Sequence, residues 1–204
     1  MRQRAARLDR DAAFPAEDVA ALAASGALDV PLPAERLGGA EDDRRCADAL
    51  AHLLMQTGEG NPAVGRVFEA HVNARHLIAR YGSAGLRDRT ASEVRAGHLF
   101  ALWVTDTPDD PLRLDAAAGG LRLRGGKSFC SAAGFATRAV VTVKAPDGGS
   151  RMAVVALGGG ERVRSLPSPL AGMRAAATGA GGLHRLHAGT GDAAGRCGRL
   201  PAGA

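Results

Sequence analysis

The chain has 204 residues, enough to bury a substantial core as one large domain or two small ones. It is 46% hydrophobic but only 3% aromatic, so Ala, Leu and Val must do most of the packing. The formal charge of +5 comes from scattered bases, nearly all Arg, with no basic stripe interleaved with aromatics; specific nucleic-acid binding is therefore not expected.

Cys46, Cys130 and Cys197 are odd in number and far apart, which supports neither a zinc clamp nor a disulfide framework. The N-terminus lacks an apolar signal core, and no stretch approaches the roughly 20 apolar residues of a membrane helix. A reducing cytoplasm is the expected compartment, with no membrane span.

The first third of the chain reads as helix. Pro15 suits the first turn of a helix carrying Val19, Leu22 and Ala23, closed near Gly26. Val30-Pro31-Leu32-Pro33 reads as an extended link. Across 40–57, Cys46, Ala49, Leu50, Leu53 and Leu54 form one apolar stripe at helical spacing. Asn61-Pro62 is an N-cap and first-turn pair for a further helix that stops at Gly82, and a short helical segment fits 83–96.

The period then changes to short alternating runs separated by Pro, Asp and Gly. Strands are expected at 99–105, 112–114, 121–123, 127–130, 139–144, 152–157 and 162–165. From Ala175 onward Gly, Ala and Arg dominate without periodicity, and only Leu183, Leu186 and Leu200 are large aliphatics. Such a tail buries too little apolar surface to offset its chain entropy and is expected to stay unfolded.

The predicted fold class is therefore α+β: a helical domain over 1–97, a small antiparallel β-barrel or sandwich over 98–174, and a disordered tail over 175–204.

This order resembles the acyl-CoA dehydrogenase superfamily over roughly residues 14–178. Weak echoes are Phe14-Pro15, Leu28-Asp29-Val30-Pro31, Gly38-Gly39 and Leu170-Ala171-Gly172-Met173-Arg174. Phe100-Ala101-Leu102-Trp103-Val104-Thr105-Asp106 is similar to the family strand that ends in Thr-Glu and holds the pyrimidine side of FAD. Lys127-Ser128-Phe129-Cys130-Ser131 is similar to the family's Lys-x-aromatic-aliphatic-Thr run flanking the isoalloxazine. An aromatic packed on a flat ring and a hydroxyl at its edge suit a flavin chemically.

The resemblance implies an FAD-dependent oxidoreductase that desaturates an acyl-CoA or related thioester by hydride transfer to the flavin. It also implies an electron-transfer partner and a homo-oligomer for the full-length enzyme. The implied cofactor contacts are Leu102, Val104, Thr105, Phe129, Cys130 and Ser131.

The sequence departs from the family in three places, the first being Asp106 where the family strand ends in glutamate. Thr107-Pro108-Asp109-Asp110-Pro111 is acidic where the family has a Gly-Ser-Asp-type loop near acyl-CoA and pyrophosphate groups. The family's C-terminal helical domain, which carries the catalytic glutamate, has no counterpart after Met173, and the composition break near Thr178 reads as a frameshift. The chain is thus expected to be truncated and inactive alone. Two alternatives stay open: a flavin-dependent monooxygenase on the same scaffold, and a non-catalytic β fragment acting through packing or partner association.

Plainer readings accompany these residues. Lys127 suits a hairpin turn, Phe129 and Trp103 suit the core, and Cys130 suits a small buried hydrophobe. His71 and His76 are five apart and poorly matched to a metal, and His184 and His187 lack a third ligand. Gly158-Gly159-Gly160 reads as a loop.

Overall fold

The computed structural model describes residues 1–33, 40–117, 120–158, 161–166, 171–184, 187–188 and 193–196. Gly38-Gly39 and Leu170 lie outside them, as do Gly159 and Gly160.

Helices come first: α1 Arg2–Arg10, α2 Ala16–Ala24, a 3-10 turn Ala27–Asp29, α3 Ala40–Gly60, α4 Pro62–Tyr81 and α5 Ala84–Arg95. Asn61 caps α4 as expected, its side chain accepting from the Ala63 amide, with Pro62 supplying a preset first turn. Gly82 follows the last residue of α4 with extended backbone, and a Cβ there would stand 2.5 Å from the Ile78 carbonyl oxygen, which favours glycine at this stop. Ser83 caps α5 by accepting from Leu86 N at 3.2 Å. Among the described residues, no helix is long and apolar enough to cross a membrane.

Helix α1 was not expected. It buries no residue fully: Leu8 packs half-buried against Ala63, Ala175 and Ala176, and Arg4 pairs with Asp18 and Glu17. The Asp9 carboxylate accepts from Gly172 N at 2.7 Å and Arg174 N at 2.8 Å.

Strands follow: β1 Phe100–Trp103, β2 Arg113–Ala117, β3 Gly120–Arg124, β4 Gly126–Cys130, β5 Arg138–Lys144, β6 Ser150–Ala156 and β7 Arg164–Ser165. After a 3-10 turn at Arg174–Ala176 come β8 Gly179–Gly182, β9 His187–Ala188 and β10 Ala193–Arg196. One sheet runs β10-β6-β5-β2-β3-β9, with β1 also paired to β5, and a second runs β4-β8-β7.

The expected α+β class holds, helices first and sheets after, but the sheets are mixed rather than strictly antiparallel. No barrel closes among the described residues, and β5 pairs parallel with both β1 and β2 while running antiparallel to β6. The reason is a long-range one: β1 is the strand that enters from the helices, so it adds beside β5 rather than pairing with its sequence neighbour.

Alternation along these strands places the core. Phe100, Val140, Met152 and Val154 face the helices and pack with Phe68, Val72 and Ile78. Ala101, Trp103, Val141, Val143, Ala153 and Val155 face the opposite cluster with Leu112, Leu123 and Leu183. Both faces of the sheet are thus covered, which is why β5 and β6 read as nearly continuous apolar runs. Each buried Val or Leu contributes about 1.5–3 kcal/mol.

The described part of the 175–204 tail is folded, contrary to expectation. Ala175, Ala176, Ala177 and Leu183 are buried, and β8 lies between β4 and β7. Glycine makes this possible, since a Cβ on Gly179 would collide with the Arg164 carbonyl of β7. The composition that argued against folding is what lets three backbones approach this closely.

Candidate functional site

The end of β1 and the start of β4 meet through backbone. Ser128 N donates to the Thr105 carbonyl at 2.8 Å and Thr107 N to the Gly126 carbonyl at 3.2 Å, around an Asp106–Lys127 bridge. Val104 and Thr105 lie past the last residue of β1 and are exposed, Val104 to 52%. Thr105 makes no side-chain hydrogen bond within the described residues.

On β4 the pairing with β8 slips: Lys127 opposes Gly181 but Cys130 opposes Gly179, leaving an extra residue on the β4 side. Phe129 takes it up with φ +54, a left-handed conformation rare for an aromatic, and the residue is 72% exposed. Bulges re-aim side chains beside functional sites, and a strained exposed aromatic is held there by the surrounding structure rather than by its own preference.

Beneath this surface lies Lys127, fully buried. Its ammonium donates to Asp106 Oδ1 at 2.7 Å, Thr142 Oγ1 at 2.8 Å and the Val104 carbonyl at 2.9 Å. Thr142 donates in turn to the same Val104 carbonyl at 2.8 Å, and Asp106 Oδ1 also accepts from Leu112 N at 3.0 Å. Burial pulls the Lys127 ammonium below its usual range, and the Asp106 carboxylate opposes that pull. Sequence reasoning treated Lys127 as a turn residue or a family marker and missed this cluster. Its only signal was a lysine within a β run, with its acidic partner at the end of a different strand.

Cys130 and Ser131 turn inward. The Cys130 thiol packs in the sheet core, and burial pushes it up to about 12 despite the nearby Lys127 cation. The Ser131 carbonyl accepts the Trp103 indole N–H at 3.0 Å. Ala132 N and Ala133 N then donate to Ala176 and Ala177, tying this turn to the 3-10 segment. Phe135 stacks on Phe14 with ring centroids 4.0 Å apart. Leu102 is half-buried on the helix-facing side, away from Trp103.

Of the six residues singled out from sequence, the structure therefore places Val104, Thr105 and Phe129 exposed at the junction of two strands. Ser131 is buried beside them, Cys130 points its thiol into the core, and Leu102 packs toward the helices.

The acidic 107–111 loop borders this junction. Thr107 Oγ1 donates to the Asp110 carbonyl at 2.6 Å, and Gly126 N donates to it at 2.8 Å. The Asp110 carboxylate meets Arg113 at 3.2 Å and His184 Nε2 at 3.3 Å, while Asp109 stays exposed. His184 Nδ1 accepts from Gly125 N at 3.3 Å, so this histidine has a structural place rather than a tail position. Among the described residues no cluster of His, Cys, Asp and Glu could hold a metal ion. A separate cleft of about 480 Å³ lies between Val30-Pro31 and α3, lined by Cys46, Leu50 and Leu53.

No protein-family model matches the sequence, and no curated protein matches it. Solved structures do. A KijD3 in complex with dTDP is 26% identical with TM-score 0.72, covering 91% of this chain and 49% of that one; KijD3 has also been solved with FMN and a dTDP-3-amino-4-keto sugar. A nitrososynthase from Micromonospora carbonacea var. africana is 25% identical with TM-score 0.71, covering 97% and 53%. A glutaryl-CoA dehydrogenase from Mycobacterium smegmatis is 19% identical with TM-score 0.73, covering 95% and 51%, and another structure of it contains FADH2. The chain thus spans about half the length of these solved chains.

Proposed function

We propose that this chain, which has the fold of the acyl-CoA dehydrogenases, is a flavin-dependent oxidoreductase whose ring-binding wall is formed by Val104, Thr105 and Phe129. The observation that carries the reading is Phe129: an exposed aromatic held at positive φ by a bulge, beside an exposed strand end, on a fold whose neighbours contain FMN and FADH2.

The residues present fit such a group. A flat conjugated ring needs one apolar face and hydrogen-bonding groups at its polar edge. Phe129 and Val104 supply the first, and the unengaged Thr105 hydroxyl supplies the second. Bound there, a flavin supplies the redox chemistry; the chain's part is to orient it and to shield it from water. Ser131 contributes through the turn that Trp103 fixes, and Cys130 through its backbone, since its protonated thiol lies in the core. Asp106 is committed to Lys127, so neither it nor Cys130 serves as a general base.

The acyl-CoA dehydrogenation that the sequence resemblance implied, with FAD and an electron-transfer partner, is one reading of the reaction. The acidic 107–111 loop favours a second. A carboxylate such as exposed Asp109 repels the diphosphate of a CoA and suits a neutral or cationic substrate, which fits monooxygenation with reduced flavin and oxygen.

Titration of the purified chain with FMN and with FAD, followed by quenching of flavin fluorescence, tests the reading. A saturable complex with a shifted visible spectrum is expected. Absence of any complex with either flavin would refute it and leave the packing-fragment alternative. Oxygen-dependent hydroxylation against acyl-CoA oxidation with a dye acceptor separates the two reactions.

A further inference from the structure

We infer that Lys127 is a positioning residue for the flavin wall, acting through the Val104 carbonyl and Asp106 rather than touching the cofactor; this rests on the flavin reading above.

A lysine with no exposed surface is costly to retain. Its ammonium must be withdrawn from water, and a hydrophobe of similar volume would fill the space at no such cost. Here every donor is spent on geometry. Three N–H groups meet three acceptors on two other segments, Val104 and Asp106 past the end of β1 and Thr142 on β5, so the lysine ties its own strand β4 to both. The three bonds of 2.7–2.9 Å converge on one charge, and charge-assisted bonds of that length are the stronger kind.

The consequences run outward to the exposed residues. The Val104 carbonyl is held from two sides, by Lys127 and by Thr142, which fixes how Val104 and Thr105 leave the strand. Asp106 passes the same anchoring to Leu112 N, and so closes the acidic loop at its far end. On the other side Lys127 sits two residues before Phe129, at the last regular pairing before the bulge. Both halves of the wall are therefore referred to a single buried cation. That arrangement is what a rigid ring site requires, where small displacements of the supporting groups lose binding.

The test uses the full chain and a double substitution, Asp106→Asn with Lys127→Met. Met fills the lysine stem, Asn keeps an acceptor for Leu112 N, and no lone charge is left buried. Melting of the double variant near that of the unaltered chain, with flavin Kd raised at least tenfold and the spectral shift of bound flavin lost, is the expected result. Flavin binding with unchanged Kd and spectrum would overturn the inference.

Should the double variant fail to fold, Thr142→Val gives the second reading. It removes one acceptor and one of the two bonds to Val104 without touching the ion pair, and should raise Kd several-fold; no change in Kd would count against the inference. Failure of the unaltered chain to bind flavin at all is a different outcome, which removes the flavin reading and this inference with it.

Discussion

Trp103 and Ser131 are 28 residues apart, yet the Trp103 indole N–H donates to the Ser131 carbonyl at 3.0 Å. The bond ties the last residue of β1 to the turn that follows Phe129, and both partners are buried. Replacing Trp103 with Phe keeps an aromatic in the core but leaves the carbonyl unpaired, at a cost of about 2 kcal/mol. Denaturant unfolding followed by circular dichroism should show this loss, with weaker flavin binding beside it. A Phe variant as stable as the unaltered chain would mean that the indole serves packing alone.

Phe129→Gly separates stability from binding. The aromatic contributes little burial, and glycine adopts positive φ without the strain of about 1–3 kcal/mol that a side chain meets there. Glycine's freedom in the unfolded chain offsets part of that relief. The variant is expected to melt at or above the temperature of the unaltered chain and to bind flavin at least tenfold more weakly. A clear loss of stability would place Phe129 in packing rather than in a ligand wall.

That residue also shows where sequence reading stops. Simple alternation along Lys127, Phe129 and Ser131 puts all three on one face, but the bulge sends Phe129 out while Lys127 and Ser131 stay in. The helical stripe of α3, the Asn61-Pro62 cap and the strands from β1 to β7 were legible because each is a local periodicity with a punctuating residue. What was not legible depends on partners distant in sequence. Helix α1 has only Leu8 packed on an apolar cluster and otherwise rests on Asp18, Gly172 and Arg174; β1 pairs with a strand more than thirty residues onward; β8 needs glycine because of β7. The Lys127 cluster belongs to the same class, since Asp106 and Thr142 lie 21 and 15 residues away.

Cys130 should be chemically silent in the folded protein. With its thiol pushed up to about 12, only about one molecule in ten thousand carries the thiolate near pH 8. Alkylation with iodoacetamide followed by peptide mapping should leave Cys130 unmodified until denaturant is added, while Cys46, which is partly exposed, reacts in the native state. Native-state labelling of Cys130 at a rate matching Cys46 would contradict the buried placement.

His71 sets the acid limit of the helix–sheet junction. Its Nε2–H donates to the Leu28 carbonyl at 2.9 Å, and Nδ1 accepts the Phe100 amide at 3.1 Å, so one neutral tautomer joins the 27–29 turn, α4 and β1. Burial is the main reason its value falls from 6.5 to about 4; the Leu28 bond opposes this, and the Arg75 cation adds to it. Because the folded value is the lower one, the unfolded chain takes up the proton first as pH falls. Stability from this group is complete above about 6.5, declines between 6.5 and about 4, and then levels, a loss of about 3 kcal/mol. Asp9 acts lower still: backbone donors led by Gly172 hold it below its usual 3.8, so its contribution is lost only as pH falls through that lowered value. Denaturant midpoints measured from pH 7 to pH 4 should therefore fall steadily for the unaltered chain. His71→Gln, which removes the titrating group, should start lower at pH 7 and change much less across the same interval. Parallel profiles for the two proteins would assign the acid sensitivity to another group.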